Sequence, residues 1–60
     1  MTKIILRGCN GKMGRVITEM VNEDDTAEIV AGIDISKDKE NKYPVFYNFS
    51  QCNVLADVII

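Results

Sequence analysis

Apolar residues along this chain form short runs and one helical stripe, in an order that predicts strand, helix, strand. Residues 4–6 are a β-branched apolar run ending near Gly8, as expected of a strand buried on both faces. From Lys12 the apolar spacing becomes that of an amphipathic helix, whose buried stripe is predicted to be Met13, Val16, Ile17, Met20 and Val21. A second β-branched run, residues 29–33, completes a unit of about 30 residues, the length of a βαβ motif.

The second half of the chain has a weaker pattern. Residues 35–42 are strongly charged and predict a solvated loop, and residues 43–46 predict a short extended piece before one possible helical turn at 48–53. Residues 57–60, Asp57 followed by three apolar residues, predict the start of a third buried strand. Because no turn residue or cap follows it, we expect the chain to be part of a longer polypeptide.

Three glycines join the first predicted strand to the helix. Gly8, Gly11 and Gly14 form a G-x-x-G-x-x-G pattern, in which the first allows a sharp turn, the second admits a diphosphate and the third brings helix and strand close. The helix N-terminus beyond them is an anion site. Asp34 ends the second strand 20 residues after Gly14, where a dinucleotide site places a carboxylate for the ribose. The pattern predicts an α/β fold: a Rossmann-type βαβ unit with the start of a third parallel strand, an incomplete doubly wound domain.

Other interpretations of these residues remain open. The glycines can serve the turn alone, and Asp34 can simply begin the charged loop. Lys12 and Arg15 either await an anion or are solvated surface charges. Packing is the favoured interpretation for both cysteines, Cys9 and Cys52. The aromatic residues are expected to cluster under a loop rather than to stack on a base; they are Tyr43, Phe46, Tyr47 and Phe49.

Composition narrows the function classes. A net charge of −2 argues against nucleic acid or an anionic membrane as the main partner. The apolar runs are much shorter than the roughly 20 residues that cross a bilayer. With no histidine and two cysteines, a Cys/His zinc site is excluded, and no metal site is predicted. The N-terminus lacks the pattern of a signal peptide, so we expect a cytoplasmic protein.

The run GCNGKMGR, residues 8–15, resembles the N-terminal fingerprint of the 4-hydroxy-tetrahydrodipicolinate reductase (dihydrodipicolinate reductase) family of bacterial lysine and diaminopimelate biosynthesis. The Lys12-Met13 pair is its most specific feature. The resemblance continues through residues 30–34, 43–45 and 56–60. It implies that Asp34 contacts the ribose of the cofactor. It also implies a set of diphosphate-binding residues: Gly8, Cys9, Asn10, Gly11, Lys12 and Met13.

The family resemblance implies an NAD(P)H-dependent reduction of a cyclic imine dicarboxylate, in a homotetramer, with a second domain that carries a His-His pair and a proton-donating lysine. Residues 1–60 correspond to the N-terminal part of the dinucleotide-binding domain. Since the chain has no histidine, it is expected to contain no catalytic residue and to be inactive alone. A non-catalytic nucleotide-sensing half-domain is the alternative function. Homoserine or semialdehyde dehydrogenases and sugar epimerases remain alternative enzyme families.

The residue after Asp34 bears on the choice of cofactor. A carboxylate there accepts hydrogen bonds from the ribose 2′-hydroxyl of NADH and repels the 2′-phosphate of NADPH. The next residue is Ile35, where some relatives have a phosphate-binding arginine. Lys37 and Lys39 are close enough in sequence to offer weaker point charges. We therefore predict that both cofactors are accepted, with a preference for NADH.

Overall fold

The computed structural model describes residues 1–36 and 41–60, and it has the predicted α/β architecture. All strands of its sheet are parallel, and their order is β3-β2-β1-β4. The elements are β1 (Thr2–Arg7), α1 (Lys12–Asn22), β2 (Ala27–Ile33), β3 (Val45–Phe46), a 3-10 turn (Phe49–Gln51) and β4 (Val58–Ile59). The strand–helix–strand order, the short strand and the late helical turn predicted from the sequence are therefore confirmed.

The order of the strands reverses at β1. From β1 the chain proceeds through α1 to β2 and then to β3 on one side, and it returns to place β4 on the other side. Ile4 and Ile5 are paired with Val58 and Ile59 of β4. In an open parallel sheet, ligands bind outside the carboxyl ends of the strands at such a reversal. The loop that follows β1 lies at this position.

A bulge in β2 lets both faces of the central strands be buried. Ile4 pairs with Ile29 and Ile5 pairs with Ala31, so Val30 is an extra residue in β2. The core cluster consists of the buried residues Ile4, Leu6, Cys9 and Ile29. Ile5 and Ala31 are buried outside that cluster. A bulge shifts the alternation of side chains by one residue. Ile29 and Ala31 can therefore each pair with a buried residue of β1, although Ile4 and Ile5 are adjacent and point to opposite faces of the sheet.

Helix α1 packs on the sheet through only part of the predicted apolar stripe. Ile17 and Val21 pack against the core. Met13, Val16 and Met20 are exposed, with 70%, 48% and 66% of their surfaces accessible, so the prediction that Met13 and Met20 are core residues is wrong. The buried residue of the helix is Gly14. The inward row thus contains Gly14, Ile17 and Val21, and a glycine carries no hydrophobic signal in a pattern.

Two further predictions of burial need correction. Strand β4 is an edge strand in the described part of the chain, so Val58, Ile59 and Ile60 are all more than 40% exposed. Of the four aromatic residues, Tyr43 packs against the core, whereas Tyr47 and Phe49 are exposed. They do not form the compact cluster that their spacing suggested. No helix in the described residues has the length and apolar character needed to cross a membrane.

We predict that the isolated 60-residue chain lacks cooperative thermal unfolding as a monomer. Three features support this prediction. Strand β4 is an exposed edge strand, and Met13, Val16 and Met20 form an exposed apolar row on α1. A chain of this length also buries only about 60% of the surface that its unfolded form exposes. Circular dichroism melting and the dispersion of amide NMR signals measure this. A sharp, concentration-independent transition would contradict the prediction.

Candidate functional site

A tight loop at the carboxyl end of β1 forms the centre of the site. Gly8 has φ of 67°, the left-handed conformation that favours glycine. Its N–H donates to the Ile33 carbonyl at 2.6 Å, and the Gly11 N–H donates back to the Gly8 carbonyl at 3.0 Å. The first glycine therefore makes the turn out of the strand, as predicted, and the turn is joined to the end of β2.

The other two glycines of the pattern have different tasks. A Cβ on Gly14 would collide with the Gly8 carbonyl oxygen and lie 2.7 Å from the Cys9 Cα, so the helix approaches the loop too closely for any side chain. Gly11 precedes α1 with an ordinary extended backbone, φ −76° and ψ 174°. A Cβ there would lie 3.3 Å from the Gly8 oxygen, a tight contact but not a collision. Gly11 therefore leaves space next to the Gly8 carbonyl, and its backbone conformation does not require a glycine.

The first turn of α1 presents unused backbone donors beside this loop. The first helical hydrogen bond is from the Arg15 N–H to the Gly11 carbonyl. Within residues 1–36 and 41–60, no hydrogen bond uses the N–H groups of Lys12, Met13 or Gly14, and no side chain caps the helix. The first turn also contains no acidic residue. Together with the positive end of the helix dipole, these groups form a surface suited to an anion.

Asp34 contacts the glycine loop directly. Its Oδ2 accepts a hydrogen bond from the Asn10 N–H at 2.9 Å, and its Oδ1 accepts one from the Ser36 N–H at 2.8 Å. Asn10 also donates through Nδ2 to the Ser36 carbonyl at 2.5 Å. The carboxylate therefore ties the loop to the end of β2 and does more than begin the next loop. Each oxygen keeps acceptor capacity for a further donor.

Cys9 differs from the other predicted loop residues because its side chain points into the protein. Only 1% of its surface is accessible, and it belongs to the core cluster. Burial, with the nearby Asp34 charge, raises the pKa of the Cys9 thiol, so it is not a reactive thiolate at neutral pH. The packing interpretation is confirmed for Cys9, and only its backbone faces the loop. Both Cys9 and Cys52 are free thiols.

Three residues near the loop were not predicted from the sequence to belong to the site: Thr18, Gly32 and Tyr43. Tyr43 and Thr18 are joined by a hydrogen bond of 2.9 Å, and a Cβ on Gly32 would lie 2.5 Å from the Cys9 Sγ and 2.7 Å from a ring carbon of Tyr43. Thr18 and Tyr43 line a groove of about 240 Å³ with Cys9 and Asn10. The presence of Thr18 four residues after Gly14 was the available signal, since those positions share a helix face.

The described residues contain no group of three or more histidine, cysteine, aspartate or glutamate side chains able to hold a metal ion. Lys37 and Lys39, which were considered for the 2′-phosphate, lie outside the described residues. The site therefore consists of a glycine turn, free N–H groups at a helix start and a carboxylate on the neighbouring strand.

Comparison with known proteins agrees with this geometry. The family described as "Dihydrodipicolinate reductase, N-terminus" matches residues 2–60. The chain belongs to this family. It is 53% identical to a 4-hydroxy-tetrahydrodipicolinate reductase of Clostridium novyi (strain NT), 45% identical to one of Clostridium tetani (strain Massachusetts / E88) and 37% identical to one of Caldanaerobacter subterraneus subsp. tengcongensis. Each comparison covers 100% of this chain and 24% of the relative, so the chain spans about a quarter of their length. No solved structure gives a significant match.

We predict that Gly14→Ala destabilises the full-length protein by about 1–3 kcal/mol, because the new methyl group has to displace the Gly8 carbonyl and Cys9. Gly11→Ala is the matched control, since its methyl group meets only one atom, at 3.3 Å. Urea unfolding of both variants measures the difference. Equal loss of stability in the two variants would contradict the close packing of α1 on the loop.

Proposed function

We propose that residues 1–60 are the N-terminal part of the NAD(P)H-binding domain of a 4-hydroxy-tetrahydrodipicolinate reductase in diaminopimelate and lysine biosynthesis. The observation that carries the proposal is the glycine loop between Gly8 and Gly14, which places free N–H groups at the point where the strand order reverses. Membership of the family and the names of the relatives support it.

The diphosphate of the cofactor fits beside the loop. In this proposal, the N–H groups at the start of α1 donate to its oxygens, and Gly11 leaves room for it to approach the backbone. Lys12 adds positive charge, and Met13, exposed in the first turn, can contact the ligand. Gly8, Cys9 and Asn10 contribute the loop backbone. When bound, the cofactor supplies a hydride for reduction of the imine.

Asp34 is assigned to the adenosine ribose. Its oxygens are held in place by the Asn10 and Ser36 N–H groups, which leaves lone pairs for the 2′- and 3′-hydroxyl groups. A 2′-phosphate would be repelled by this charge, and Ile35 offers no compensating cation. We therefore propose that NADH is preferred and that NADPH is also accepted.

The remaining parts of the proposed enzyme lie outside these residues. The family resemblance implies that a second domain carries the proton donor and the site for the cyclic imine dicarboxylate; the chain itself contains no histidine. We expect the 60 residues alone to transfer no hydride. A homotetramer is proposed from the family resemblance. A cytoplasmic location is proposed because the two free thiols suit a reducing compartment.

We predict that Gly11→Val in the full-length protein weakens NADH binding at least tenfold while the fold is retained. Valine is compatible with the extended backbone of Gly11, but its branched side chain occupies the space that the diphosphate needs. Calorimetric titration with NADH measures the change, and Gly11→Ala, with a smaller side chain, is expected to have an intermediate effect. An unchanged dissociation constant would show that the diphosphate binds elsewhere.

We predict that Asp34→Ala reduces the preference for NADH, because the carboxylate that accepts from the 2′-hydroxyl and repels the 2′-phosphate is lost. The ratio of kcat/KM for NADH to that for NADPH is the measurement, and Asp25→Ala, at an exposed aspartate between α1 and β2, is the control. A parent enzyme that favours NADPH more than tenfold, or a ratio that the substitution leaves unaltered, would remove Asp34 from the ribose site.

A further inference from the structure

Tyr43 lies outside the glycine pattern, on the connection between β2 and β3, yet its ring reaches the loop. Tyr43 packs against the core cluster that contains Cys9. Any side chain on Gly32 would meet the Cys9 Sγ at 2.5 Å and the Tyr43 ring at 2.7 Å. The Tyr43 ring and the Cys9 thiol therefore both lie close to the bare backbone of Gly32.

The hydroxyl of Tyr43 is the first donor in a chain of two hydrogen bonds. Thr18 Oγ1 donates to the Gly14 carbonyl at 2.9 Å, and this uses its one hydrogen. Either hydroxyl can donate in the 2.9 Å contact between Thr18 Oγ1 and Tyr43, and with Thr18 donating to Gly14 the donor is Tyr43. Burial raises the pKa of the Tyr43 phenol, so the phenol keeps its proton at neutral pH. The direction of the chain is Tyr43 to Thr18 to Gly14.

These contacts connect Tyr43, Thr18, Gly14 and Cys9 in a ring next to the glycine loop. The hydrogen bonds connect Tyr43 to Gly14, and Gly14 packs against the Gly8 carbonyl and the Cys9 backbone. The Cys9 side chain in turn lies near the Tyr43 ring, beside Gly32. Tyr43 is therefore connected both to the loop after β1, through Cys9, and to the first turn of α1, through Thr18 and Gly14.

We propose that Tyr43 is a positioning residue of the dinucleotide site. It acts through Thr18 and Cys9 to hold the first turn of α1 in a fixed position beside the glycine loop. This inference rests on the proposed function. Tyr43 is not assigned a contact with the ligand; its hydroxyl hydrogen is donated to Thr18. Its effect is expected on cofactor affinity and not on the chemical step.

The test uses the full-length enzyme with four single variants and one double variant. Tyr43→Phe and Thr18→Val each break the hydrogen-bond chain, Thr18→Ser keeps a hydroxyl at the same position, and Tyr47→Phe is the matched control at an exposed tyrosine. The double variant combines Tyr43→Phe with Thr18→Val. Dissociation constants for NADH, KM for each substrate and kcat are measured at a temperature at which circular dichroism shows every variant to be folded.

We expect Tyr43→Phe and Thr18→Val to raise the dissociation constant and KM for NADH about two- to tenfold, the range of one lost hydrogen bond. The kcat and the KM for the imine substrate should stay at the parental values. Thr18→Ser and Tyr47→Phe should match the parent. The dissociation constant of the double variant for NADH should equal the higher of the two single-variant values, because both changes interrupt the same pair of hydrogen bonds.

Three results would overturn the inference. The first is a lower melting temperature with unchanged NADH affinity in Tyr43→Phe, which would make Tyr43 a packing residue only. The second is additive losses in the double variant, which would show that Tyr43 does not act through Thr18. A parent enzyme that binds neither NADH nor NADPH would instead refute the proposed function, and this inference with it.

Discussion

The contact between Gly14 and the loop that follows β1 is the constraint on which the rest of the site depends. A helix that bore any side chain at this position would have to move away from the Gly8 carbonyl and Cys9. Since Gly14 is placed inward, Ile17 and Val21 follow on the same side and pack on the sheet. The start of α1 is thereby held next to the turn, with its unused N–H groups at the carboxyl edge of β1.

The end of β2 holds the same loop from the other side. The Ile33 carbonyl accepts from Gly8, and the Asp34 carboxylate accepts from Asn10. These bonds are made by backbone N–H groups of the loop, so they define its path without depending on the identity of most loop side chains. Asp34 thus has two compatible tasks: it orders the loop, and it presents a negative charge where the proposed ribose would lie. A carboxylate held by two N–H donors is already oriented before a ligand arrives, which reduces the entropy lost on binding.

Apolar side chains remain exposed on α1 and at the edge of the sheet in the described part of the chain. Met13, Val16 and Met20 on α1, and Val58 and Ile59 at the edge of the sheet, are exposed in a chain that spans about a quarter of the relatives' length. Parallel sheets occur almost only where helices cover both of their faces. The glycine loop and its contacts with β2 are nevertheless already formed within the described residues.

The sequence by itself determined the order of the elements and the position of the glycine loop between β1 and α1. Strand periodicity, the helical stripe and the Gly8–Gly14 spacing depend on neighbours a few residues apart, so they can be recognised in the linear chain, and so can the place of Asp34 after β2. Only the tertiary structure decided which row of α1 faces the sheet, the position of β4 beside β1, and the ring of contacts through Tyr43, Thr18 and Cys9. Each of these depends on residues far apart in sequence, such as the 25 positions between Thr18 and Tyr43. Hydrophobic periodicity carries no signal for a buried glycine or for a hydrogen bond made across that distance.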